Sequence, residues 1–392
     1  MFSMMGPSAG NAPPDRPRLH IIGPLGLKAL LRSTLSVCYA SFNSNFVVHE
    51  LLFPAQPEYP HHVPQGMSSF SYTETDIHLP EHVRGEHRTL PLMPPHPNEL
   101  MGSNMRLDEA SGTWPNVLAL AGVTISAAPI AHRCPAVGYV FHESPSASQS
   151  ISPRELAILD SNNEALFKEY GIKNPRMLLR QLLQERKPLL LPCGNELKPP
   201  PLDRPGRKLC ILGDTSDATS GLVNRGMSAL AQDADLLVNE CTYASMNADD
   251  LDVARKVSEE HANMLQAALL RPEDCEERAV SRGHSTPRIV GTFAGQIGAR
   301  CVVISHFSAR IPAPFVSSTE PLRNMNQIKP GAAYDVSLRQ FHVMREMERQ
   351  VTEHWHNSIS PEARTNAYER AIAAYDGLTV NVPARAPETK NM

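Results

Sequence analysis

Three stretches constrain this chain more than anything else in it. Gly206-Arg207-Lys208-Leu209-Cys210-Ile211-Leu212-Gly213-Asp214-Thr215, Asp235-Leu236-Leu237-Val238-Asn239-Glu240-Cys241-Thr242 and Cys301-Val302-Val303-Ile304-Ser305-His306-Phe307-Ser308 repeat one pattern. Each is a short apolar run that ends on a polar group. Such a run, with polar ends, reads as a buried strand. Asp214, Glu240 and His306 are thereby delivered to strand ends, where layered α/β folds carry active-site loops. Gly283-His284-Ser285-Thr286 leads into a helix, so a further element end presents His284. Asp, Glu and two His on neighbouring ends bind metal or move protons.

Singly, each residue has a plainer reading. Gly213-Asp214-Thr215 caps a turn. A lone histidine such as His306 is more often hydrogen-bonded to a loop than a ligand. His132, before Pro135 and Gly138-Tyr139, is a turn residue, and His284 is an N-cap neighbour. Recurrence at successive strand ends is the signal. Glu240 beside His284 makes an acid–base pair, because a carboxylate orients an imidazole and favours its protonated form. Arg310 in Phe307-Ser308-Ala309-Arg310 suits a phosphate.

The chain has 392 residues, enough for one large domain or two small ones. At 41 % hydrophobic residues a proper core is available. The net charge of −4 gives no global attraction to nucleic acid or anionic membrane, so such binding needs a local basic patch. No run approaches the ~20 apolar residues that span a bilayer. Residues 1–17 lack a hydrophobic signal core. The seven cysteines are scattered without a Cys-x-x-Cys pair, which suggests reduced thiols in an intracellular protein, in cytoplasm or nucleus with the mitochondrion left open. Cys210, Cys241 and Cys301 read as small buried hydrophobes.

Along the chain, residues 1–15 read as a disordered tail. Strands are expected at Arg18–Ile22, Phe46–Leu52, Gly122–Pro129 and up to Phe141. Helices are expected from Gly26 to about Thr34, from Ser152-Pro153, over Asn174–Glu185, Leu222–Gln232, Asp249–Leu270 and Thr286–Ile297. Residues 53–112, rich in Pro, His and Met, read as a surface insertion. Polar helices over Asp335–Glu353 and Pro361–Ala371 form an expected add-on, residues 314–370, before a final core strand within 371–392. Interleaved strands and helices indicate an α/β layered fold.

The ordered set Gly213-Asp214-Thr215, Asn239-Glu240-Cys241-Thr242, His284-Ser285-Thr286 and His306-Phe307-Ser308 resembles the ribonuclease Z family, the 3′-tRNA-processing endonucleases of the metallo-β-lactamase superfamily. His132-Arg133 with Gly138-Tyr139, Ile22-Gly23-Pro24-Leu25-Gly26-Leu27 and Val47-Val48-His49-Glu50-Leu51 are similar to it too, most of all to its short form. The resemblance implies a metallo-β-lactamase fold, an αββα sandwich, over residues 16–313. It also implies a zinc-dependent endoribonuclease that removes the 3′ trailer of precursor tRNA, as a homodimer without membrane association. His132 would bind one zinc, Asp214 would bridge two, and His306 would bind the second. A metal-bridged hydroxide would attack phosphorus, and the Glu240–His284 dyad would protonate the leaving 3′ oxygen. Ser285, Thr286, Ser308 and Arg310 would meet substrate. The arm that grips tRNA would correspond to Gly171–Leu202, with Lys173, Arg176, Arg180, Arg186, Lys187 and Lys198; a solvated helix face is the alternative for that basic cluster.

Two departures follow. Asn239 stands where the family carries His, which changes the hydrogen bonding around the dyad. The family's His-any-His-any-Asp-His motif, due just before Arg18–Leu31, does not occur in these 392 residues. His61-His62 and His78, His82 and His87 have other spacings and read as loop histidines. Two protein ligands per zinc are fewer than the three a catalytic site keeps, so weak zinc binding and weak cleavage are expected. The first core strands would also be lacking, leaving an exposed sheet edge. A truncated gene model is the expected origin, and a degenerate paralogue the alternative. Two rival functions are a catalytically inactive homologue serving as a binding or dimerisation subunit, and another hydrolase on the same fold.

Overall fold

The computed structural model describes residues 17–42, 44–54, 56, 69–73, 87–91, 93–120, 122–218, 226–245, 272–308 and 332–387. The expected helix over Asp249–Leu270, the His61-His62 pair and Arg310 lie outside the described residues. The chain divides into two compact units, Met1–Phe141 with Lys208–Val382 and His142–Arg207 with Pro383–Met392.

The first unit is built on two sheets. One holds β1 (Leu19–Pro24) and β2 (Phe46–Leu52); a separate hairpin, β3 (Ser69–Thr73) with β4 (His87–Pro91), precedes its last members, β5 (Glu99–Leu100) and β6 (Asn104–Arg106). β1, β5 and β6 all pair with β2 in parallel. Alternation along β2 explains its two coats. Phe46 and Val48 pack on the Leu27–Val37 helix side with Leu35, and Leu51 turns the other way onto the second sheet. The Pro-rich stretch read as an insertion therefore contributes strands to this sheet. Their pairing runs through short segments free of proline, which a composition-based reading averages away.

The second sheet has seven strands in the order β15-β14-β13-β12-β9-β8-β7. They are β7 (Trp114–Leu120), β8 (Val123–Ile130), β9 (Ala136–Glu143), β12 (Lys208–Ile211), β13 (Leu236–Glu240), β14 (Val302–Ser305) and β15 (Ile372–Ala373). Along β8, Ile125 and Ala127 face Leu51, Phe53 and Trp114 between the sheets. Ala128 and Ile130 face the opposite way, into the main core with Cys210, Leu237, Val302 and Ile304. β12, β13, β14 and β15 run parallel, and their near-continuous apolar runs suit strands buried on both faces. Layers thus succeed one another as helix, sheet, sheet, helices. β12, β13 and β14 bear out the three runs singled out in the sequence.

The main core is closed by the Pro287–Gln296 helix and the Ala332–Ser358 helix. The second of these lies where a polar add-on was expected. Its stripe Met344, Met347, Val351 and Trp355 is buried in the main core. Two glycines allow the approach: a Cβ on Gly291 would lie 2.6 Å from the Val351 carbonyl oxygen, and one on Gly295 would lie 2.4 Å from Ser358 Cβ. The final strand is shorter than expected, two residues, with Val380 and Val382 packing nearby as irregular chain.

The second unit has its own core of Leu159, Leu166, Leu182, Leu189, Leu191 and Leu197. Its Pro153–Ser161 helix starts on a reciprocal capping box between Ser152 and Glu155, as the Ser-Pro signal suggests. The helix expected from Asn174 divides into a 3₁₀ turn, Pro175–Leu178, and a helix, Leu179–Leu183. Asn174 caps the Arg176 N–H and accepts from Met177 N, which tightens that first turn. A two-residue ribbon pairs β10 (Leu189–Leu190) with β11 (Glu196–Leu197).

Candidate active site

Parallel β12, β13 and β14 end on one edge of the seven-stranded sheet, where open α/β sheets hold ligands. Asp214 follows β12, Glu240 closes β13, and His306 follows β14. His284 arrives on the loop before the Pro287–Gln296 helix, and His132 follows β8.

Glu240 is the buried floor of the site, with 2 % of its side chain exposed. One carboxylate oxygen accepts from Thr215 N at 2.9 Å and from His284 Nδ1 at 2.9 Å. The other accepts from Thr242 N at 3.1 Å and Thr242 Oγ1 at 2.6 Å. Four donors offset the cost of burying a carboxylate there. Exposure then rises outward, from 14 % at the His284 side chain to 49 % at that of His306. The site is sealed at the Glu240 end and open at the His306 end.

The imidazoles share one arrangement. His284 Nδ1 meets Glu240, His132 Nδ1 meets the Gly283 carbonyl at 2.7 Å, and His306 Nδ1 meets Thr242 Oγ1 at 2.8 Å. Each ring is anchored through Nδ1, which leaves Nε2 for a ligand or a proton. His306 Nε2 stands 3.5 Å from Asp214 Oδ1. The His284 ring stacks on His306 with centroids 5.3 Å apart, and the His132 ring lies tilted 5.4 Å from His284. Asp214, His284 and His306 offer ligand atoms that all lie within 4.8 Å of one another. One carboxylate and two imidazoles of this kind fit a single divalent metal with positions left open. His132 is outside that group.

Other expected residues fall in different environments. Ser285 is fully buried and donates its hydroxyl to the Thr215 carbonyl at 2.5 Å. Thr286 is buried as the N-cap of the Pro287–Gln296 helix, without a side-chain cap bond, and its Oγ1 has no partner among the described residues. Ser308 is half-buried and its N–H donates to the Thr242 carbonyl. Asn239 points away from Glu240 by strand alternation, and its buried Oδ1 has no partner among the described residues. Burial, then the adjacent Glu240 carboxylate, hold the Cys241 thiol well above its usual range; it is packing, not a nucleophile. Thr242 and Thr215, given no role from the sequence, both hold Glu240.

Comparison with known proteins follows the same lines. No family model matches the chain. A ribonuclease Z of Kineococcus radiotolerans is 31 % identical over 196 residues, covering 50 % of this chain and 46 % of its own length. The human zinc phosphodiesterase ELAC protein 1 is 25 % identical over 295 residues, covering 74 % of this chain and 62 % of its own length. A ribonuclease Z of Haloarcula marismortui is 25 % identical over 269 residues. Along these stretches the chain is similar to ribonucleases Z. It spans 46 % and 62 % of the first two of these relatives. The crystal structure of human tRNase Z, short form, matches with 19 % identity and a TM-score of 0.35, covering 74 % of this chain and 61 % of that one. The layers described above bear out the α/β class read from the sequence. No helix among the described residues is long and apolar enough to cross a membrane.

Proposed function

We propose that this chain is a zinc-dependent phosphodiesterase that removes the 3′ trailer from precursor tRNA. The observation that carries this reading is the Glu240–His284 pair at 2.9 Å, set beside Asp214 and His306. The names of the relatives, ribonuclease Z and zinc phosphodiesterase, support the substrate and the metal. Asp214 and His306 would hold zinc, His284 of the same group keeping its Nε2 for the proton and His132, outside the group, serving as a further donor. Bound zinc supplies Lewis-acid stabilisation of charge on the phosphoryl oxygens and acidifies water.

The chain's own residues carry the proton. Glu240 would orient His284 through Nδ1, leaving the Nε2–H as the proton to be given. From there it protonates the leaving 3′ oxygen as the P–O bond breaks. Ser308 and Arg310 would meet the RNA phosphates, while Ser285 and Thr286 would act by fixing the His284 loop. The unit His142–Arg207 would supply the tRNA-gripping arm, and the chain would work as a homodimer inside the cell.

The test is 3′-end mapping of products from a precursor tRNA carrying a trailer. Glu240→Gln and His284→Ala are expected to slow cleavage by about 10²–10⁴-fold. Cleavage at the wild-type rate by both would sink the dyad. A second reading is a non-catalytic binding subunit, in which Asp214 and His306 would hold metal too weakly for cleavage. It predicts tRNA or self-association with no cleavage at any zinc concentration.

A further inference from the structure

We infer that Thr242 is a positioning residue whose single hydroxyl fixes the tautomer of His306 and, through Glu240, the orientation of His284. The hydroxyl has one proton and four neighbours: Glu240 Oε2 at 2.6 Å, His306 Nδ1 at 2.8 Å, the His306 carbonyl at 2.9 Å and, farthest off, His284 Nδ1 at 3.5 Å. The short contact to a carboxylate claims the proton, because a charge-assisted O–H···O⁻ bond is the shortest and strongest available. An unprotonated oxygen pair at 2.6 Å, one of them a carboxylate, would repel more than the 2.9 Å pair with the neutral His306 carbonyl. The Thr242 oxygen is then an acceptor toward His306, so Nδ1 carries the hydrogen and donates. His306 Nε2 is left with its lone pair turned to Asp214.

The backbone supports the same assignment. His306 has φ +56, a left-handed conformation uncommon for a residue with a side chain. Thr242 braces that turn once more, since its carbonyl accepts from Ser308 N at 3.1 Å, and the neighbouring Cys241 N donates to the Ser305 carbonyl at 2.8 Å. An observed strained residue held by such contacts points to a required side-chain direction. Thr242 thus links the residue proposed as metal ligand to the pair proposed as proton donor, and one hydroxyl sets both.

The inference rests on the zinc reading only for its affinity arm. In the metal-free 392-residue chain labelled with ¹⁵N in its imidazoles, long-range ¹H–¹⁵N correlations report each tautomer. His306 signals are assigned by their loss in His306→Gln. Wild type and Thr242→Ser are expected to show His306 protonated at Nδ1, and Thr242→Val to lose that preference. Zinc affinity measured against a chelator should fall about 10–100-fold in Thr242→Val and stay near wild type in Thr242→Ser. Wild-type His306 protonated at Nε2 overturns the inference without any variant, so it stays testable if Thr242→Val fails to fold. A folded Thr242→Val with the wild-type tautomer and affinity overturns it too. A wild-type chain that binds no zinc while showing the Nδ1–H tautomer counts against the zinc reading and leaves the positioning role standing.

Discussion

At the scale of single residues, the site is assembled by groups that compensate one another. Glu240 is buried because four donors reach it, and His306 sits at positive φ because Thr242 braces its turn. Tyr139 shows the same logic between the sheets, its hydroxyl donating to the Ile22 carbonyl at 2.7 Å. Burial pushes its phenol from 10.0 up to about 12. The folded state therefore prefers the protonated phenol. The stability this contributes is full below pH about 10 and is lost as pH rises toward about 12. Tyr139→Phe should lose about 1 kcal/mol at neutral pH through the missing hydrogen bond. It should then show a smaller alkaline loss than wild type in urea titrations run from pH 8 to 11.5. Parallel losses in the two proteins would contradict the assignment. Asp214, Glu240 and His306 were legible in the sequence because each ends an apolar run. Thr242 was not, since its role depends on the register that sets Glu240 opposite Ser305. The His132–Gly283 contact was hidden as well, spanning 151 positions of sequence.

Elements are held to one another by a few specific contacts. The Leu27–Val37 helix meets β2 at Glu50, which accepts from Gly26 N at 2.9 Å and Lys28 N at 3.0 Å. Lys28 Nζ lies 3.6 Å from the other carboxylate oxygen, and both side chains are buried. Burial pushes the Glu50 carboxyl up, against the pull of the Lys28 amide and ammonium. Breaking such a pair costs more than replacing it. Lys28→Met should lower unfolding free energy by about 3–5 kcal/mol, and Lys28→Met with Glu50→Gln should recover part of that. Urea unfolding followed by tryptophan fluorescence reads both; a Lys28→Met protein of wild-type stability would show the pair to be idle. The Ala332–Ser358 helix explains where reading by composition failed. Its buried stripe, Met344, Met347, Val351 and Trp355, has helical spacing, but it is narrow within a polar sequence. Gly291 and Gly295 make a narrow stripe sufficient by letting the two helices close up.

For the whole molecule, the question is how RNA would be gripped by a chain of net charge −4. The basic cluster of the second unit is partly spent on itself. Arg176 pairs with Asp160, Lys187 with Glu185 and Lys198 with Glu196, and Arg186 donates to the Pro200 carbonyl. Lys173 and Arg180 are the cations of that cluster left over among the described residues. Removing both should shallow the dependence of log affinity for precursor tRNA on log salt by about 1–2, whereas Lys187→Ala should leave it near wild type. An unchanged slope in the double variant would remove the arm from the interface. The most direct test of the central claim is cleavage of a trailer-bearing precursor tRNA under single turnover, with zinc supplied, by the wild-type chain and by Asp214→Ala. Zinc-dependent release of the trailer by wild type, abolished in Asp214→Ala and by chelator, is the expected result. Equal cleavage by the two proteins, or cleavage indifferent to chelator, would contradict it.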